Sequence, residues 1–296
     1  MKKVILMIIL TICVLNSSSQ EFGTHWISHP LPNDSSEVLF CKEYITSQKP
    51  QRAYISFATC GKIKVFFNER NITQDIYFCN SDTSTIEIYT YDVTNYLQPD
   101  SNTIAVWYAP LKDSEPSKQL SLEYYGYNAN RKAFYHQADE KWKCLILNGC
   151  YIKEDKEYFD ARKYTHDWKA GSHNRGDWLT PLGAHNASRT YTTSINKYPG
   201  RPIRLSSVLL ATDTLSTATS CEYSFDRVFT GTSRITLRGA KNGEIITVNN
   251  LVYTCNGEMD EQAFLHFSTN TQNKVMIQGD SSFKKSQITH VEGLEY

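Results

Sequence analysis

Between Glu157 and Trp178 the chain gathers side chains suited to chemistry: Tyr158, Asp160, Arg162, His166, Trp168, His173, Asp177 and Trp178. A sugar ring offers apolar C–H patches on one face and hydroxyls around its rim. Holding it takes an aromatic platform beside carboxylate, amide or guanidinium groups, and this segment supplies both. Tyr158, Asp160, Arg162, Trp168 and Trp178 are therefore the candidate ligand-binding residues. The same residue types also have structural uses. Asp160 and Arg162 can form an ion pair that pins a loop, and the two tryptophans can cap the end of a sandwich. His166 and His173 lack a Cys or carboxylate at fixed spacing, so they make no transition-metal motif. No HExxH, GxSxG or Gly-rich phosphate loop occurs.

The segment lacks strand alternation and contains Gly171 and Gly176, which predicts a long loop. The elements that must position it are strands. Period-2 patterns recur in Ala53–Ile55–Phe57, Ile63–Val65–Phe67, Ile86–Ile88 and Leu120–Leu122–Tyr124, and again from Cys144 to Leu147. Ile104, Val106 and Tyr108 face one way, Ala105 and Trp107 the other. Past residue 206 the pattern returns in Ile235–Leu237, Ile245 to Val248, Phe264 to Phe267 and Val275–Ile277. Turn residues punctuate the runs, among them Asn148-Gly149, Asn242-Gly243 and Asn256-Gly257. Thr94 to Leu97 suits one short helical turn, and no stretch of ten residues carries a 3.6-residue stripe. Evenly spaced short strands predict an all-β chain of two antiparallel β-sandwiches, at 20–195 and 196–296, with the linker at 196–206.

Composition agrees. Tyr 19, Phe 13 and Trp 5 against four Met is sheet vocabulary. Lys+Arg and Asp+Glu stand at 31 each, which leaves no basic footprint for nucleic acid. Met1-Lys2-Lys3 followed by the apolar run Val4 to Leu15 fits a signal peptide, with the cut after Ser19. That run is too short to span a bilayer. Export to the periplasm, cell surface or medium is the expectation. Cys13 leaves with the leader, and Cys41, Cys60, Cys79, Cys144, Cys150, Cys221 and Cys255 remain. They read best as small buried core residues, with no CxxC pair among them.

Several segments, in order, resemble the non-catalytic front half of bacterial α-L-rhamnosidases of glycoside hydrolase family 78. They are Arg52-Ala53-Tyr54-Ile55 with Val65-Phe66-Phe67-Asn68, Tyr91-Asp92-Val93-Thr94, Asn102-Thr103-Ile104-Ala105-Val106-Trp107, Lys141-Trp142-Lys143, and Glu157-Tyr158-Phe159-Asp160-Ala161-Arg162. Beyond the linker, Phe225-Asp226, Gly231, Gly239, Gly243-Glu244, Tyr253, Gly257 and Phe264 are spaced like the sandwich that follows in those enzymes. The departures are Glu69 where a Gly completes the family's turn, Lys156 for the Gly before the "E-YDAR" run, and Arg227-Val228 in place of the usual continuation.

The resemblance implies a jelly-roll or galactose-binding-like sandwich followed by a concanavalin-like one. It places catalysis in a helical barrel downstream, for which these residues supply no pattern. It also implies a rhamnose-binding role for the first sandwich, with Glu157 and Asp160 as oxygen ligands to a Ca²⁺ ion. The expected function is a non-catalytic, exported carbohydrate-binding protein for rhamnose-containing plant or microbial polysaccharide, beside a partner glycoside hydrolase. The alternatives are the front piece of a split or truncated rhamnosidase, and a structural module without ligand.

Overall fold

The computed structural model describes residues 25–31, 36–59, 61–73, 88–110, 118–184, 205–217 and 219–296. The leader, Cys13, Cys60, Cys79, the Ile86 end of one expected strand and linker residues 196–204 lie outside the described residues. The first unit holds β1 (Trp26–Ser28), β2 (Ser36–Ile45), β3 (Arg52–Thr59), β4 (Lys62–Phe67), β5 (Arg70–Asn71) and β6 (Tyr89–Asp92). It continues through β7 (Ser101–Ala109), β8 (Gln119–Tyr127), β9 (Ala133–Gln137), β10 (Lys143–Lys153), β11 (Lys156–Asp160) and β12 (Leu182–Ala184). The second unit holds β13 (Ser207–Leu210), β14 (Thr212–Ser216), β15 (Ser220–Arg238) and β16 (Ile245–Val248). Its last strands are β17 (Leu251–Thr254), β18 (Asp260–Ala263), β19 (Asn270–Gly279) and β20 (Ile288–Glu295).

One sheet runs β12-β1-β8-β3-β6, with β9 also on β8. The opposing sheet runs β10-β2-β7-β4-β5 and continues through β11 into the second unit as β17-β16-β19-β15-β20-β13. Every named ladder is antiparallel except β11 on β17, where Glu157 to Asp160 lie parallel to Leu251 to Thr254. The only helical pieces among the described residues are short 3₁₀ turns, one of them at Thr94–Tyr96. None is long and apolar enough to cross a membrane. The chain is all-β, as its patterning implied.

The strands β2, β4 and β7 explain how the units join. Val38, Phe40, Val65, Ile104, Val106 and Tyr108 point into a core shared with the six-stranded sheet. Their neighbours Leu39, Cys41, Phe66, Ala105 and Trp107 point the other way, into a second core with Ile235, Leu237, Tyr253 and Phe267. A strand buried on both faces must be apolar at both parities, which is why β7 reads as a continuous run and not as an alternation. Cys41, Cys144, Cys150, Cys221 and Cys255 are all buried free thiols, and burial pushes the Cys41 and Cys144 thiols up to about 12. They fill core space and are not poised as nucleophiles.

Three local expectations differ from the structure. Asn148-Gly149 does not turn the chain: it sits inside β10, where the register to β2 shifts between Leu147 and Tyr151. Gly149 takes φ +93°, and a Cβ there would fall 2.9 Å from the Asp160 Cβ, so the bulge needs glycine. The segment from Glu157 is not loop at its start, since β11 pairs on both sides before the chain turns at Ala161–Lys163. Phe264 to Phe267 is not a strand either. It is an irregular segment with Phe264 half-buried and Leu265, His266 and Phe267 buried, held by side-chain acceptors described below. At Asn68 and Glu69 the hairpin keeps left-handed φ of 48° and 68° without glycine. There Asn68 Oδ1 accepts from Thr103 N at 2.8 Å and its amide donates to Tyr96 O at 2.8 Å, which holds the turn.

Candidate functional site

Where the outer face of β4 and β7 meets the second unit, a cleft of about 450 Å³ opens. Its floor is aromatic: Trp107, Phe159 and Tyr253 are each at most 5% exposed. Its walls are half-buried Lys64, Tyr164 and Phe264 with exposed His166, Glu258 and Asp260. His266 lies at the centre of the rings, 4.3 Å from Phe159, 4.5 Å from Phe264 and 5.0 Å from Trp107 between centroids. Lys64 Nζ sits 5.6 Å from the Trp107 ring, placing a cation over the floor's indole.

Buried carboxylates fix these rings. Glu157, fully buried at the start of β11, accepts from the backbone N–H of His266 and, at 3.0 Å, from that of Phe267. His266 Nδ1 lies 3.2 Å from the same carboxylate. Burial alone would raise the Glu157 pKa, but the bonds and charge from His266 hold it below the ordinary value. Burial lowers the His266 pKa, against the pull of Glu157. On the far side of Trp107, Glu37 Oε2 accepts from the indole N–H at 2.6 Å. Burial first, and the Glu157 charge second, push the Glu37 pKa well above the ordinary value. Glu261 acts likewise in the wall, accepting from Tyr253 Oη–H and from the N–H groups of Asn256 and Gly257. Asp260 is held by Arg238 at 2.7 Å. Glu258 and His166 stay exposed on the rim.

The residues read from the sequence sit around this cleft more than in it. On β11, Glu157 and Phe159 face the core and cleft, so Tyr158 and Asp160 face away. Tyr158 stacks on Tyr151 at 4.5 Å. Asp160 takes both Arg162 Nε and Nη2 at 2.8 Å, the loop-pinning pair that was the alternative reading, and Arg162 holds its carboxyl below the usual range. Trp168 is fully buried, edge-on to Phe66 at 5.6 Å and donating its indole N–H to Tyr164 at 3.2 Å. Trp178 stacks on Trp168 at 6.4 Å, under the Arg175 guanidinium.

Glu157 and Asp160 do not fit a shared Ca²⁺ shell. They leave opposite faces of one strand, and each already accepts from two or more N–H donors. Among the described residues no cluster of three or more His, Cys, Asp or Glu suits a metal ion. Of the segment first singled out, His166 reaches the cleft, and the unremarked Phe159 and Tyr164 join it. The sequence put none of Phe264, His266, Glu258 and Asp260 in a site, and Phe264 entered only as an expected strand residue and in the family-like spacing. The parity of Trp107 in β7 was visible, but nothing in the sequence said what it would face.

No protein-family model matches the chain, and no curated protein matches it. Solved structures do. An α-L-rhamnosidase from Dictyoglumus thermophilum is similar with TM-score 0.80 at 17% identity, over 94% of this chain and 36% of that one. The Aspergillus terreus enzyme is similar with TM-score 0.74 at 16% identity, over 92% and 36% of the two chains. The Streptomyces avermitilis enzyme, solved with L-rhamnose, gives TM-score 0.72 at 16% identity, over 89% and 29%. The chain spans about a third of the length of these enzymes. At such identities the likeness shows a shared fold, and at that level it bears out the resemblance read from the motifs.

Proposed function

We propose that this chain, which shares its fold with about a third of an α-L-rhamnosidase, is a non-catalytic carbohydrate-binding protein whose ligand occupies the cleft between its two units. The observation that carries the reading is the cleft itself: about 450 Å³, floored by rings and rimmed by polar groups. That volume suits one or two sugar residues. A ring's C–H face packs on Phe264 and Tyr164, while its hydroxyls reach Glu258, His166 and Gln262. A 6-deoxy sugar such as rhamnose is favoured, because its methyl group finds the apolar floor of Phe159 and Tyr253. One of the similar enzymes was solved with L-rhamnose, which supports the same choice.

Export with the leader at 1–19 would put the protein beside a polysaccharide-degrading partner, where even weak binding raises the local substrate concentration. Titration calorimetry with L-rhamnose and rhamnose-containing oligosaccharides should give binding at millimolar ligand. Phe264→Ala should weaken it about two- to tenfold, the worth of one aromatic contact, with an unchanged melting temperature. Absence of heat from the parent protein at millimolar sugar would sink the proposal.

A second reading, the front piece of a split rhamnosidase, draws on the coverage of 36% of the similar enzyme. It requires nitrophenyl-rhamnoside hydrolysis when a separately encoded barrel is added. The chain alone should give none.

A further inference from the structure

The outer face of the six-stranded sheet, across the first core from the cleft, carries a surface of different chemistry. The strand registers arrange its outward side chains as a grid over β6, β3, β8 and β9. The middle row pairs Tyr54 with Tyr125 and Tyr125 with Tyr135. Their rings succeed one another at 5.7 and 6.4 Å. On one side the next row holds Thr90, Ser56, Glu123 and Gln137, of which Ser56 Oγ lies 2.7 Å from Thr90 Oγ1 and 3.2 Å from Tyr125 Oη. On the other side Arg52 pairs with Tyr127. The grid opens there onto a hollow of about 520 Å³ lined by Gln51, Arg52, Tyr127 and Arg131.

We infer that this face is a second carbohydrate site, for an extended glycan bearing uronate carboxylates. The tyrosine row supplies apolar surface edged with hydroxyls, and Tyr127 and Tyr135 are 49% and 37% exposed. Rings repeating at 5.7 and 6.4 Å offer a track about as long as two sugar units. The Thr90 and Ser56 hydroxyls and the Gln137 amide flank the track on one side, with the buried Glu123 carboxylate between them, and meet the sugar's own hydroxyls. On the other side, Arg52, Arg131 and Gln51 line one hollow, and each guanidinium offers the two-donor fork that a carboxylate takes in bidentate fashion. Arg52 is available for this. Its side chain is 60% exposed, its contact to Asp92 is long at 4.0 Å, and it rests over the Tyr54 ring at 5.7 Å. Asp92 is otherwise engaged, accepting from Thr94 N at 2.9 Å. Arg131 reaches the hollow from a turn at φ +59° that Asn128 braces. The chain as a whole has no net charge, so this local pair of cations, set beside aromatics and hydroxyls, favours an acidic sugar over a polyanion read by charge alone.

The site stands apart from the cleft, and affinity electrophoresis or calorimetry on the full chain separates the two. De-esterified polygalacturonate should bind more tightly than neutral galactan, and about 0.5 M salt should weaken the difference. Arg52→Ala should cost about tenfold for polygalacturonate, the value of a charged hydrogen bond, and leave galactan unchanged. Tyr125→Ala should weaken both. If that variant is unstable, Arg52→Glu, made on an exposed side chain, still tests the charge. Phe264→Ala, which empties the cleft of its wall, should leave polygalacturonate binding intact. Equal binding of galactan and polygalacturonate, no effect of Arg52→Ala, or equally tight binding of single-stranded poly(U) would each overturn the assignment.

Discussion

Glu157→Ala should destabilise the protein by about 3–5 kcal/mol, more than any surface substitution, because it leaves a buried set of donors without their acceptor. The carboxylate is fully buried and joins β11 to the segment 264–267 by accepting from two backbone N–H groups and facing His266 Nδ1. For units of this size each kcal/mol lowers the midpoint by about 2–4 °C, so thermal unfolding should move down by roughly ten degrees. The same loss frees His266, and with it the spacing of Phe159, Phe264 and Trp107 around the cleft. Sugar binding should fall together with stability. Glu157→Gln keeps one acceptor oxygen and should lie between the two. A variant melting alongside the parent would show that the segment is held by its rings alone.

Glu37→Gln should do the opposite, and its effect should grow with pH. Glu37 is buried with one oxygen on the Trp107 indole, and its raised pKa keeps it neutral where ordinary carboxylates are charged. A group whose folded pKa lies above its unfolded value stabilises fully below the unfolded value, 4.5. That contribution is lost as pH rises toward the folded pKa, at up to about 1.4 kcal/mol per pH unit inside the window. Glu157 has the other sign. Its folded pKa is lowered, so its contribution is present above 4.5 and lost as pH falls through the folded value. Glutamine at 37 cannot ionise and still accepts from the indole. The variant should therefore lose the decline above pH 4.5 and keep the acid limb that belongs to Glu157. Burial lowers the pKa of His29, His136 and His266, which adds slope of the contrary sign below 6.5, so the comparison is between variant and parent. Urea or thermal melts from pH 5 to 8 supply it. Parallel profiles for the two proteins would rule out an ionising Glu37.

Both carboxylates show where reading the sequence stops. Glu157 was singled out as a metal ligand on the strength of the rhamnosidase resemblance, and Glu37 drew no notice. Each is a carboxylate under a ring, and only the folded chain puts the ring there. Trp168 and Trp178 were an open choice between ligand platform and packing, and burial against Phe66 and each other places them in packing. The tyrosine grid was partly legible, since Tyr54 alternates with the core residues of β3. That it meets Tyr125 and Tyr135 depends on register, which a single strand does not carry.

What the sequence determined by itself was parity. In β4 and β7 it assigned the side chains to one face or the other, and it showed that both faces of β7 are apolar. It thereby determined an all-β chain. What only the tertiary structure decided was partnership. Trp107 faces His266, and Glu157 faces the same residue across more than a hundred positions, because β11 pairs in parallel with β17 and brings the second unit against the outer face of the first. Hydrophobic burial is non-directional, so an apolar face demands cover without naming what covers it. The cleft is the gap that this one parallel ladder leaves between two faces whose chemistry was written separately.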